Sequence, residues 1–207
     1  IKKHPSITTV VQNVNTRQTN VIMGDKERTL YGPGFILDSL CGLSFRISSK
    51  SFYQVNVEQT EALYTRAVEM ARLTGTETVM DAYCGTGTIG LVAARGVSGG
   101  PGAARVIGVE ERPDAVADAR NNARHNGIAA AEFVADDAGA FMRTLAARGE
   151  ELDVLLMDPP RSGSNEAFLS SAVRLAPARI IYISCGPDTL ARDLKYLTKH
   201  GYAVKRA

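Results

Sequence analysis

The chain has 207 residues, 44% of them hydrophobic and 22% charged, which is enough apolar material to bury one good-sized core. No apolar run approaches the roughly 20 residues that span a bilayer, and the start, IKKHPSITTVV, lacks the layout of a signal peptide. A net charge of +2 neither demands nor forbids a nucleic-acid partner; three cysteines without CxxC spacing or a histidine cluster argue against disulfides or a metal site, and for a reducing cytoplasm.

Residues 1–50 read as a β-rich segment. ITTVVQNVN and NVIMG carry β-branched residues either side of the turn-prone TRQT, YGPGF is a turn, and LSFRIS alternates apolar and polar positions as a half-buried strand does. Beyond SFYQVN the texture changes. VEQTEALYTRAVEMARL places Leu63, Ala67, Met70 and Ala71 at helical spacing, with Gly75 beyond as a stop signal. Strands then alternate with helices. The expected strands are ETVMDAY, RVIGVE, AEFVAD, LDVLLMD, RIIYIS and YAVKRA; helices are expected after Thr88, after Pro113, near AGAFMRTLAARG, across EAFLSSAVRL and across DTLARDLKYLTKH. Such alternation implies right-handed βαβ units, hence a doubly wound, mostly parallel α/β sheet over 51–207. GVSGGPGAAR, which precedes a strand, is expected to be a surface loop.

In VMDAYCGTGTIGL a strand ends at Asp81, turns through Gly85 and Gly87, and enters a helix. Gly90 completes a short GxGxxG, and the Lys-Ser/Thr of a P-loop is absent. Glu110 ends the second strand and Asp136-Asp137 the third. Acids closing three successive strands suit ribose hydroxyls, an adenine amine and a positive charge, and would repel a pyrophosphate. S-adenosylmethionine meets that description. Each acid could equally cap the helix that follows it.

IIYISCGPDTLARD delivers Cys185 to the end of a strand, where it is either a small residue closing the core or a nucleophile at the ligand edge of the sheet. Cys84, inside the glycine turn, reads as packing or cofactor-loop structure, and Cys41 as core. DPPRSG ends the fourth strand; its prolines stiffen the loop, Asp158 can accept a hydrogen bond from a base or a cofactor, and Arg161 is either a phosphate contact or a solvated surface residue.

Taken in order, DAYCGTGTIGL, VIGVE, NNARHNG, LLMDPPRSG and YISCGPDTLARD resemble the RNA (uracil-5-)-methyltransferases over residues 50–206, and SFYQVN matches that family's entry segment. The resemblance implies a class I, Rossmann-like methyltransferase fold and transfer of a methyl group from S-adenosylmethionine to carbon 5 of a uridine, with ribosomal RNA expected ahead of transfer RNA. It implies cofactor contacts from Gln54, Tyr83, Gly85, Thr88, Glu110, Asp137 and Asp158, and catalytic roles for Cys185 and Asp158. Carbon 5 of uracil is too weak a nucleophile to take the methyl unaided; a thiolate added to carbon 6 turns the ring into an enolate that can. The chain departs from the family at Gly186, usually Asn, and stops before the segment that supplies a glutamate base. The expectation is therefore a carboxyl-terminally truncated catalytic domain of a longer cytoplasmic enzyme, monomeric and partnered by RNA. Two other readings are an RNA cytosine-5 or N-methyltransferase, and a fragment that binds cofactor or RNA without turnover.

Overall fold

The computed structural model describes residues 3–18, 22–24 and 26–207. Two antiparallel ribbons come first: β1 (Val10–Val14) pairs with β2 (Lys26–Tyr31), and β3 (Phe35–Leu40) with β4 (Leu43–Ser48). β1 and β4 lie where ITTVVQNVN and LSFRIS were expected. The strand expected over NVIMG lies partly outside the described residues, and Ile22, Met23 and Gly24 are not strand; the partner strand starts at Lys26. Every residue of β2 is exposed, so it has no buried face for alternation to reveal.

From α1 (Val57–Ala71) onward the chain winds β5 (Thr78–Ala82), α2 (Thr88–Arg95), β6 (Arg105–Glu110), α3 (Pro113–His125), β7 (Ala131–Ala135), α4 (Ala138–Ala147), β8 (Val154–Met157), α5 (Glu166–Leu175), β9 (Arg179–Tyr182) and α6 (Pro187–Lys199). The five later strands form one wholly parallel sheet in the order β7-β6-β5-β8-β9. Its central strands are continuous apolar runs, such as Val154–Met157, because helices cover both faces. One face packs α1, α2 and α3 through Tyr64, Ala67, Leu91, Val92, Val116 and Ala119; the other packs α4, α5 and α6 through Met142, Leu145, Phe168, Leu169 and Leu197.

α1 buries Thr60, Tyr64, Ala67, Val68 and Ala71, while Leu63 stays exposed. The helix ends at a left-handed Arg72, three residues before Gly75. YAVKRA is not a strand. Gly201 reverses the chain at φ +98°, Tyr202 donates its amide to the Leu197 carbonyl at 3.2 Å, and its hydroxyl donates to the Pro177 carbonyl at 2.9 Å. Those bonds tie Tyr202 to the end of α6 and to the loop before β9, and the segment does not pair with the sheet.

The β3–β4 ribbon joins the core beside α1 and α3 through Leu40, Leu43 and Phe45. α3 fastens it with three polar residues one helical turn apart. Asp118 accepts from the Ser48 and Ser51 hydroxyls, both at 2.7 Å; the Asn122 carbonyl oxygen accepts from the Arg46 amide at 2.8 Å; Asn126 accepts from the Ser44 amide at 2.9 Å and donates to its carbonyl at 2.8 Å. NNARHNG is thus a seam between helix and edge strand.

Candidate active site

The register sets the order of side chains along the carboxyl edge of the sheet. Ala82 stands between Val109 and Met157, Met157 beside Tyr182, and Glu110 beside Ala135. Chain past each strand end therefore presents Asp136, Glu110, Tyr83, Asp158 and the Ser184-Cys185 step in one row, the usual ligand edge of an open α/β sheet. The Ile183 amide donates to the Met157 carbonyl at 2.9 Å, which carries the β8–β9 pairing one residue further toward Cys185.

After β5 the backbone turns sharply, with Tyr83, Gly85 and Gly87 all left-handed at φ +63°, +53° and +81°. Tyr83 is the one of these with a side chain to strain, and such outliers concentrate at ligand sites. Its ring lies 5.1 Å from that of Phe168, and burial raises its phenol above the usual range. Gly90 is required by close approach: a Cβ there would lie 2.8 Å from Asp81 Oδ2, which accepts the Gly90 amide at 2.9 Å.

Glu110 accepts from the Gly85 amide at 3.2 Å through one oxygen and from the Arg112 amide at 3.0 Å through the other. Asp137 caps α4 by accepting from the Ala140 amide at 2.7 Å. These are the cap and turn bonds that the sequence left open beside the ligand reading. Each carboxylate has about four acceptor positions, so capacity for hydroxyl or amine donors remains. Thr88, the first residue of α2, shares a hydrogen bond with the Tyr64 hydroxyl at 3.2 Å. Burial lifts that phenol to about 12, and the charges of Asp158 and Asp81 add to the rise. Gln54 lies half-buried two residues before Asn56, the N-cap of α1.

Asp81 was legible only as a strand-ending acid, and the structure gives it more. It is 1% exposed, and its second oxygen has no partner among the described residues. Burial pushes its carboxyl up to about 8, with neighbouring Asp158 and Glu110 raising it further and the Gly90 amide opposing. Burial likewise pushes Asp158 up to about 6. The signal for Asp81 was Gly90, the glycine that leaves room for it. Acceptors at Glu110 and Asp137, an unpartnered buried oxygen at Asp81, an aromatic at Tyr83 and a turn open at Gly85 make a donor set suited to S-adenosylmethionine.

The three thiols differ in access. Cys84 is buried and Cys41 half-buried, and burial raises both thiols, Cys84 well above the usual range. Cys185 is exposed. It precedes Gly186, the N-cap of α6, whose amino end favours negative charge. Gly186 has an ordinary extended φ of −132°, but a Cβ there would lie 2.8 Å from Thr189 Oγ1, which donates to the Arg161 carbonyl at 3.1 Å. A side chain at this position would press on the bond that joins the cysteine loop to residues 158–164. Arg161 itself is exposed.

Among the described residues no helix is long and apolar enough to cross a membrane. Residues 73–202 match a family described as a methyltransferase domain. An uncharacterized RNA methyltransferase of Halalkalibacterium halodurans is 48% identical over 99% of this chain, and one of Lactiplantibacillus plantarum is 48% identical over 97%. The chain spans 43% and 42% of those relatives' lengths. The crystal structure of Pyrococcus abyssi tRNA (uracil-54, C5)-methyltransferase in complex with S-adenosyl-L-homocysteine has a TM-score of 0.76 and 30% identity, covering 96% of this chain and 46% of that one. An Agrobacterium tumefaciens S-adenosylmethionine-dependent methyltransferase, 18% identical with a TM-score of 0.63, shares the fold over 84% of this chain and 61% of its own. With the parallel sheet, its acid-lined carboxyl edge and this match in view, the chain belongs to the methyltransferase domain family.

Proposed function

We propose that this chain carries the catalytic centre of an RNA (uracil-5-)-methyltransferase that uses S-adenosylmethionine. The observation that carries the reading is Cys185: of the three thiols it alone is exposed, and it stands on the ligand edge one strand away from Asp158. When bound, S-adenosylmethionine supplies an electrophilic methyl group on a sulfonium; Glu110 and Asp137 would hold the ribose and adenine side, and Tyr83, Gly85, Thr88 and Gln54 the remainder. The Cys185 thiolate adds to carbon 6 of the uracil, and the ring's π electrons move to carbon 5 and the neighbouring carbonyl as an enolate. Asp158 accepts a hydrogen bond from the base and holds carbon 5 in line for methylation. Loss of the carbon 5 proton to a base returns electrons to the ring and expels the thiolate from carbon 6.

Ribosomal RNA is the substrate class that the motif resemblance favours. The likeness to the archaeal enzyme favours transfer RNA as a second reading. Nucleoside mass spectrometry of both RNA pools from cells with and without the full-length gene tests the proposal. The expected result is loss of 5-methyluridine from one pool. Loss of 5-methylcytidine or N6-methyladenosine, with 5-methyluridine unchanged, would overturn it.

A further inference from the structure

Past Asp158 the chain makes a tight exposed turn, residues 160–163, closed by the Gly163 amide donating to the Pro160 carbonyl at 2.8 Å. A short surface turn of this kind, with exposed Arg161 and Ser162 at its centre, has little packing to hold it. Besides the Thr189 hydroxyl on the Arg161 carbonyl, its restraint comes from two adjacent residues of α6. Asp193 is fully buried, and one of its oxygens accepts from both the Ser164 amide and the Tyr182 hydroxyl, each at 2.8 Å. Its other oxygen accepts from Arg192 Nε at 2.8 Å. The Arg192 side chain is 56% exposed, yet its Nη2 donates to the Ser162 carbonyl at 3.0 Å and the Ser164 carbonyl at 2.9 Å, and lies 2.7 Å from Asp193.

These bonds converge on three pieces of the site. Tyr182 ends the strand that delivers Cys185, Ser164 directly follows the turn after Asp158, and Arg192 and Asp193 belong to the helix that follows Cys185. Gly163 records how close the contact is: φ is +72°, and a Cβ would lie 2.6 Å from Arg192 Nη2 and 2.8 Å from Asp193 Oδ2. Only glycine fits between the turn and the pair. A long exposed side chain loses rotamer entropy when fixed to backbone carbonyls, and α6 does not need those carbonyls to form. What the contacts fix is the turn.

We infer that Arg192 and Asp193 are positioning residues that latch the turn and the Ser164 that follows it to α6 and so hold Asp158 and Cys185 at the spacing the base requires. The inference rests on the proposed uracil chemistry. Misplacing a catalytic group by about 1 Å costs on the order of 100-fold in rate. Glu110 ends β6 and Asp137 follows β7, both away from the latch, while Tyr83 touches it through its hydroxyl, which donates to Ser164 Oγ at 3.4 Å.

The test uses the full-length protein and its Arg192→Ala, Arg192→Lys and Gly163→Ala variants. It measures the single-turnover methylation rate on saturating RNA and S-adenosylhomocysteine affinity by calorimetry. Arg192→Ala should lower the rate by about 100-fold with cofactor affinity within about twofold of wild type. Arg192→Lys, which restores one donor, should recover part of the loss, and Gly163→Ala should reproduce it from the other side of the contact. A wild-type rate in Arg192→Ala overturns the latch, as does an equal loss of rate and cofactor affinity, the mark of general unfolding. Cys185→Ala separates the two ideas. If that variant methylates normally, the uracil mechanism fails; if it is inactive while Arg192→Ala runs at the wild-type rate, only the latch fails.

Discussion

Asp81 shows how burial sets the chemistry of a single carboxyl. It sits among Met80, Ala82 and other core residues of β5, accepts one amide from Gly90, and is held up to about 8 by desolvation. Its ordinary value is 3.8, so between roughly pH 4 and 8 the folded protein keeps a proton that the unfolded chain has released. Stability from this group is therefore complete below its ordinary value and is lost as pH rises through the folded one. Without cofactor, the chain should become easier to denature with urea from pH 5 to pH 8. Asp81→Asn, which mimics the neutral acid and keeps the Gly90 bond, should flatten that slope; an unchanged slope would show that Asp81 is ionised in the fold. The acids at strand ends were readable because position and charge coincide in the sequence. The buried state of Asp81 was not, since it depends on neighbours from α2 and β8.

At the scale of elements, the helices were read with little error because their ends are marked locally. Asn165 caps α5 by accepting the Phe168 amide at 2.8 Å, and Pro113 and Pro187 occupy first-turn positions. Strand assignments failed where a strand depends on a distant partner. Lys26–Tyr31 has no buried face, and the strand expected over YAVKRA gave way to the docking of Tyr202. The Asn seam on α3 was visible as a motif, but its role was not. Asn122 is fully buried and joins the Arg46 amide to the Thr86 carbonyl, the latter at 3.1 Å, so it spans from the β3–β4 ribbon to the glycine turn. Asn122→Ala would strand both groups and should cost about 1–3 kcal/mol. Chemical denaturation with unchanged m would measure it. A loss below about 0.5 kcal/mol, the range of ordinary surface changes, would mean that water replaces the amide.

At the scale of the whole molecule, the fold places its chemistry by topology. Five parallel strands in the order β7-β6-β5-β8-β9 put Glu110, Asp136 and Asp137 on one half of the carboxyl edge and the Asp158 and Cys185 loops on the other. The division follows from β5 lying at the centre, with the two halves wound outward from it. The alternation of strands and helices made the parallel sheet legible, whereas the meeting of residues 161–164 with α6 depends on side chains far apart in the chain. On the proposed chemistry the exposed thiol just past β9 attacks the base. Full-length protein, S-adenosylmethionine and RNA containing 5-fluorouridine, whose fluorine cannot leave as a proton does, should form a complex that survives denaturing electrophoresis, and peptide mass spectrometry should place the link on Cys185. Cys185→Ala should form none and methylate no RNA. A link to Cys41 or Cys84, or sustained methylation by the Cys185→Ala variant, would contradict the account.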